Sequence, residues 1–280
     1  MKRRKMPSHE AVKRRFVIFL ILAAVLVVAA IFAPMLAPND PYATDASAIR
    51  VSPCKQFPFG TDKFGRCVLS RVLYGARTSI FSSFALVAVS FMGGTTIGML
   101  CGWYGGVLDE IFMRLADILL AFPQMVLAIA VAGILGGNLV NAMIAMGISG
   151  WTLYARMARS AVMSLRKESF VVAARFSGVP THRLLLRHLL PNIIGPLLVN
   201  AATQIGAMMV GIAGLSFLGI GVTPPAAEWG SMINEARAYM QLAPWVVLYP
   251  SLAIVVTIMI FNFLGDALRD LVDIGGQYGK

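Results

Sequence analysis

The sequence predicts an all-α chain that crosses a membrane six times, and three observations carry that reading. Of its 280 residues 58% are hydrophobic and only 13% charged, about half the charge of an ordinary soluble domain. Mean hydropathy is +0.75. Six apolar runs are long enough to cross about 30 Å of hydrocarbon, which takes roughly 18–20 residues. Finally, Lys and Arg gather at particular ends of those runs, as topology requires.

The runs follow one another along the chain. Phe16–Met35 is the first, Ser79–Trp103 the second, and Ile118–Leu135 the third, with Ile111–Asp117 as its more polar start. Asn138–Ala155, Asn192–Val222 and Ala243–Gly265 complete the set. In lipid the backbone must satisfy its own hydrogen bonds, so each run reads as a helix. None shows the alternation of a barrel strand. The basic start of the chain resembles a secretory leader. However, the first run is too long for a usual apolar segment and ends at Pro34, Pro38 and Pro41, so it reads as an uncleaved anchor.

These elements divide the chain into a basic cytoplasmic tail (1–15), a first span (16–38) and a long outer loop (39–78). A five-helix core (79–267) containing a cytoplasmic loop (164–191) follows, and then a cytoplasmic tail (268–280). Seven Lys/Arg precede Phe16 and seven more lie between Arg156 and Arg187. An even number of spans separates the two groups, so both face the cytoplasm. The outer loop is the exception, with six cations against three Asp. The net charge of +11 therefore reflects membrane orientation and lipid contact, with no call for a nucleic-acid partner.

Chemistry is absent. No G-x-x-x-x-G-K-[ST] phosphate loop occurs, no H-E-x-x-H and no His/Cys cluster at metal spacing. The chain reads as no enzyme and as needing no cofactor; any energy comes from another subunit. Cys54 and Cys67 share the outer loop, where a disulfide is an open alternative to free thiols.

The segment Phe170–Pro191 stands out. A helix-compatible stretch, Glu168–Phe176, meets the breaker Ser177-Gly178-Val179-Pro180. Thr181 can open a second helix, which runs to Pro191. Ala173 and Ala174 leave a close-approach face, and Val171, Val172 and Phe176 add apolar surface that something should cover. Two readings fit: a docking helix for a cytoplasmic partner, or an interfacial helix lying on lipid.

At this point the residues resemble a family. Ala173, Ala174, Gly178, Leu190 and Pro191 stand at the spacing of the cytoplasmic signature E-A-A-x3-G-x9-I-x-L-P of ABC importer permeases. Val172 takes the place of the usual Glu and His188 that of Ile. Gly60-Thr61-Asp62-x-x-Gly65-Arg66, Ser70-Arg71 and Tyr74-Gly75-Ala76-Arg77 are similar to the outer loop of the dipeptide/oligopeptide/nickel permeases, with Cys67 where Asp is usual. So are Met113-Arg114-x-x-Asp117 with Phe122-Pro123, Ser216-Phe217-Leu218-Gly219, Glu228-Trp229-Gly230, and Leu264-Gly265-Asp266-x-Leu268-Arg269-Asp270. Tyr154–Ser160 and Ala227–Asn234 look somewhat closer to nickel-type members.

The resemblance implies a type I permease fold, with Val172, Ala173, Ala174, Gly178, Leu190 and Pro191 forming the loop that couples to an ATPase. It also implies a heterodimer with a homologous permease, two cytoplasmic ATPases, and a periplasmic or lipid-anchored substrate-binding protein. The cargo would be di- or oligopeptides, nickel or nickel chelates. Phe217, Gly219, Glu228 and Trp229 would lie at the periplasmic mouth. Arg114 and Asp117, three apart on one helix face, read as a gate latch or as a structural ion pair. A channel or ion-coupled carrier is the rival reading, but it needs mid-membrane carboxylates or a polar filter, and the six runs contain none.

Overall fold

The computed structural model describes residues 9–278; the basic stretch Lys2–Lys5 and residues 279–280 lie outside that range. Among the described residues the regular structure is helical, apart from one isolated antiparallel bridge between Thr61 and Cys67.

Helix α1 (His9–Ile31) is peripheral. Val17, Ile21, Val25 and Val28 point outward, as lipid-facing side chains do. Its inner face leans on α11 (Trp245–Tyr278), where Phe19 stacks on Phe263 at 5.1 Å. Pro34 then opens the short α2 (Ala33–Leu36), a position where its missing N–H costs nothing.

Helix α3 (Val68–Tyr104) starts eleven residues before the second apolar run. At 1.5 Å per residue it is about 55 Å long, so it projects well beyond the hydrocarbon. α6 (Leu139–Leu165) packs along it, capped by the Asn138 carboxamide, which accepts from Asn141 N at 2.8 Å. The two backbones nearly touch. A Cβ on Gly94 or Gly98 would overlap the carbonyl oxygens of Trp151 and Ala155, and one on Gly102 would sit 2.7 Å from Arg159 O. Both series advance by four residues, so the ridges of the two helices run in register. Gly93, one position round the helix, faces open space.

The third apolar run is two helices, not one. α4 (Gly106–Leu120) and α5 (Gln124–Leu135) meet at 92°. Pro123 has no N–H to donate to the preceding turn, which stops the helix there. The six runs thus become four helices long and apolar enough to span, a bent pair that could make a fifth span, and α6. α6 has 27 residues but is less apolar than the others. It can be so because it is enclosed: Ser149, Thr152 and Tyr154 are buried against neighbours and do not face lipid.

α7 (Ser169–Phe176) and the single turn α8 (Thr181–Arg183) follow. The chain then passes through a wide π-helical stretch, Leu184–Leu189, into α9 (Leu190–Phe217). Leu190 N donates to Leu185 O, five residues back. Pro191 explains the widening: it has no donor for Arg187 O, and its ring would crowd that carbonyl in a tight turn. α10 (Trp229–Ala236) is a short helix before α11.

Three buried clusters follow one another along the bundle. The outer one holds Val68, Val72, Ile80, Trp229, Met232 and Val246. The middle one joins Leu86, Ala142, Met146, Met208, Ile212 and Phe261. The inner one joins Met99, Tyr154, Val162, Val171, Leu185 and Leu189. Met208 and Met209 are core filler, divided between the middle and outer clusters.

Candidate functional site: the elbow between α6 and α9

Val171 fixes the site. It is 1% exposed and packs in the inner cluster with Val162, Leu185 and Leu189, which pins one face of α7 to the bundle. The other face is left uncovered. Phe176 is 89% exposed, and Phe170 and Val172 are well exposed too. Ala173 is exposed and Ala174 half-buried. Burying a Phe stabilises a contact by roughly 1.5–3 kcal/mol, so this face holds enough apolar surface to bind a partner.

The elbow itself is a Schellman turn. Gly178 has φ +77°, a region open to glycine at no steric cost. Gly178 N donates to Arg175 O at 3.1 Å and Val179 N to Ala174 O at 3.2 Å; these are the two bonds of that motif. Thr181 heads the next helical stretch, as expected from its place after Pro180, but the structure shows no side-chain cap there. From Thr181 to Phe217 the chain is a single 37-residue helical rod. Leu184, Leu185 and Leu189 are buried along its near end, whereas Leu190 is half-buried and Pro191 exposed. Val171 of α7 thus packs in one cluster with Leu185 and Leu189 at the near end of the rod and with Ile193 in α9.

The ion pairs depart from expectation. Arg114 does not pair with Asp117. It lies 3.7 Å from Glu110 on the exposed side of α4, and Asp117 is held by Arg156 of α6. A second bridge joins Arg159 to Asp109 with bonds of 2.5 and 2.6 Å. Both bridges tie α4 to α6. The i,i+3 spacing put Arg114 and Asp117 on one face, but Arg114 turns to Glu110 one turn back in α4 and Asp117 to Arg156 on another helix.

At the end of α9 away from the elbow, Phe217 is the last helical residue and Gly219 (φ +81°) accommodates the turn. Arg237 stacks over the Phe217 ring at 5.9 Å. Glu228 and Trp229 are both buried, and Trp229 borders a small apolar cavity with Val72 and Ile80. Glu228 is wholly buried and caps α10, accepting from Gly230 N at 2.9 Å, Ser231 N at 2.8 Å and Ser79 Oγ at 3.1 Å. Burial pushes its carboxyl above the ordinary value, against the pull of those donors. Trp229 donates from Nε1 to Val72 O at 2.9 Å. Both residues hold α10 against α3.

The structure also joins residues that sequence reasoning treated as an anomaly of charge. Arg66 donates to Asp62 at 2.6 Å and to Glu235 at 2.7 Å, and Arg71 reaches Glu235 at 3.4 Å. Arg71 also donates to Pro41 O and Pro225 O, each at 3.2 Å. The two Arg side chains are 4% and 1% exposed. These cations are consumed internally, so they should not count when orientation is judged. Beside them, Trp245 Nε1 donates to Thr61 O at 3.1 Å, and a Cβ on Gly60 would strike the Trp245 ring. Cys54 and Cys67 both stand as free thiols, one exposed and one buried.

Comparison with known proteins places this geometry. Residues 94–274 match the model of the binding-protein-dependent transport system inner membrane component, and residues 13–53 match the N-terminal TM domain of oligopeptide transport permease C. The dipeptide transport system permease protein DppC of Alkalihalophilus pseudofirmus is 40% identical over 92% of this chain and 84% of its own length. The nickel transport system permease protein NikC of Escherichia coli K12 is 43% identical over 91% and 92%. The glutathione transport system permease protein GsiD of Escherichia coli O6 is 42% identical over 89% and 82%. Among solved structures, an inward-facing form of the MetNI methionine ABC transporter aligns with TM-score 0.59 at 18% identity, covering 72% of this chain and 97% of that one. That likeness concerns fold alone. With a bundle of apolar helices, an elbow carrying the signature residues and relatives at this identity over most of its length, the chain belongs to the binding-protein-dependent transport system inner membrane components, the permease subunits of ABC importers.

Proposed function

We propose that this chain pairs with a homologous permease to form the translocation unit of an importer, and that α7 is the helix seated on one of two cytoplasmic ATPases. ATP hydrolysis then belongs wholly to those partners. Both termini lie in the cytoplasm, and a binding protein outside delivers the cargo. When the ATPases close on nucleotide, α7 moves, the turn at Gly178 keeps its angle, and the rod from Thr181 carries the motion to α9. A two-state bundle biased by a partner in this way opens alternately to either side.

The split of α7 carries the reading: Val171 is locked inside while Phe176 stands free. Val172 occupies the place of the usual acidic residue, so the proposed contact is apolar at that point, with no salt bridge. For cargo we propose small peptides or chelated nickel, in keeping with relatives named for dipeptide, nickel and glutathione transport. The binding protein would do most of the selecting.

Phe176→Asp tests the contact. It removes the largest exposed apolar group and desolvates a charge in any interface. Co-purification of the ATPases should fall at least tenfold, which corresponds to about 1.4 kcal/mol, while the permease keeps its size-exclusion profile. Equal recovery of ATPase with the variant would count against docking at α7.

A further inference from the structure

A cavity of about 620 Å³ lies beside the elbow, bounded by Trp103 and Tyr104 at the end of α3, Arg166 and Lys167 just after α6, and Arg175 and Thr181 of the elbow. Three cations converge on it, and no carboxylate stands among the residues that line it. Neither Lys167 nor Arg175 is paired with a carboxylate among the described residues. Arg166 is held in place by donating to Gly102 O at 3.2 Å and Trp103 O at 3.3 Å, the free carbonyls at the end of α3. Like charges gathered without a counter-charge repel one another, and an anion between them would relieve that cost.

The depth of the cavity selects the kind of anion. Trp103 and Tyr104 close the second apolar run, where amphipathic rings sit at the headgroup level. Basic pockets between spanning helices on the cytoplasmic side suit phosphate-bearing headgroups, and a volume near 600 Å³ accepts one. The apolar face of α7, with Phe176, is separate from this lining. The cavity lies between the elbow and the ends of α3 and α6, and its wall includes Val179 and Leu184.

We propose that this cavity binds the phosphodiester headgroup of an anionic phospholipid, which bridges the end of α3 to the elbow. The placement on the cytoplasmic leaflet rests on the orientation given under Proposed function; the chemistry of the site does not. An occupied site braces α7 against the bundle through Arg175 and Thr181, so the lipid tightens the mechanical link that α7 makes to α9.

The assembled transporter in nanodiscs containing a photoactivatable phosphatidylglycerol provides the test. After illumination, the labelled peptides are mapped by mass spectrometry. Label should fall within residues 100–106 and 164–184. Excess phosphatidylglycerol should displace it, while phosphatidylcholine should not. The variant Lys167→Gln with Arg175→Gln should weaken labelling about thirtyfold, since each of the two cations near the surface contributes about 1 kcal/mol. Arg166 is left intact because it also serves the end of α3. Equal displacement by phosphatidylcholine, or full labelling of the double variant, overturns the site. Displacement by inorganic phosphate as effective as by phosphatidylglycerol makes the ligand a soluble anion and overturns the lipid assignment. Labelling seen only after the ATPases are stripped away means that a partner fills the cavity, which also overturns it. Labelling that persists in Phe176→Asp separates this site from the docking face, since either can then fail without the other.

Discussion

Replacing Glu235 by Ala should destabilise the chain by about 3–5 kcal/mol, the cost of leaving a buried charge without its partner. Glu235 Oε2 receives both Arg66 and Arg71. Without it, two nearly inaccessible guanidinium groups share the single carboxylate of Asp62, and Arg71 lies 3.8 Å from that group. The site must then admit water or push the outer loop away from α10. Purified transporter should melt at a clearly lower temperature, and residues 39–67 should become open to external protease. Adding Arg66→Met to Glu235→Ala should restore part of the loss, because one unpaired charge is removed and apolar volume replaces it. Unchanged protease resistance in Glu235→Ala would show that the four charges do not hold the loop.

Gly98→Leu should be the more severe change. The first added atom already overlaps Ala155 O, which is backbone, so no rotamer of a neighbour relieves it. α3 and α6 would have to separate along the seam where Gly94 is equally close-packed and Gly102 only slightly less so. Overpacking of a core costs typically 1–3 kcal/mol when side chains can yield, and here they cannot. The yield of monodisperse protein should fall to a small fraction of wild type. Gly93→Ala is the matched control. It faces open space in the same helix, and Ala for Gly in a helix contributes up to about 1 kcal/mol. Its yield should hold or rise. Similar losses for both variants would mean that the close-packed seam is not what limits assembly.

Much of this architecture was legible because a bilayer imposes one rule on every segment. Runs such as Ser79–Trp103 and Ala243–Gly265 cannot be strands or loops in lipid, and glycines at spacing four in α3 announce a close helical neighbour. The elbow was legible for a local reason: Gly178 and Pro180 break a helix whatever surrounds them. What failed was tertiary. Phe122-Pro123 was in plain view, yet an apolar run masks a 92° bend, since both arms are equally apolar. Asp117 sits three residues from Arg114 but bonds to Arg156, and only folding brings that residue near. The outer loop looked wrongly charged because Glu235, which neutralises Arg66, lies 169 residues away. The bonds between Glu228 and Ser79 and between Trp229 and Val72 join residues about 150 apart, and no local pattern announces them. Charge counts predict orientation only for cations that stay in water, and sequence alone cannot say which do.

The mechanical role assigned to α7 needs its free face to lie against a nucleotide-hydrolysing partner in the cytoplasm. A single cysteine at Ala174, in the otherwise cysteine-free transporter, probes that contact directly. A short thiol crosslinker should join it to the ATPase subunit, in a yield that changes when ATP is added, and a membrane-impermeant maleimide should not reach it from outside intact cells. Labelling from the outside, or a cysteine that never joins the ATPase in either nucleotide state, would contradict the account.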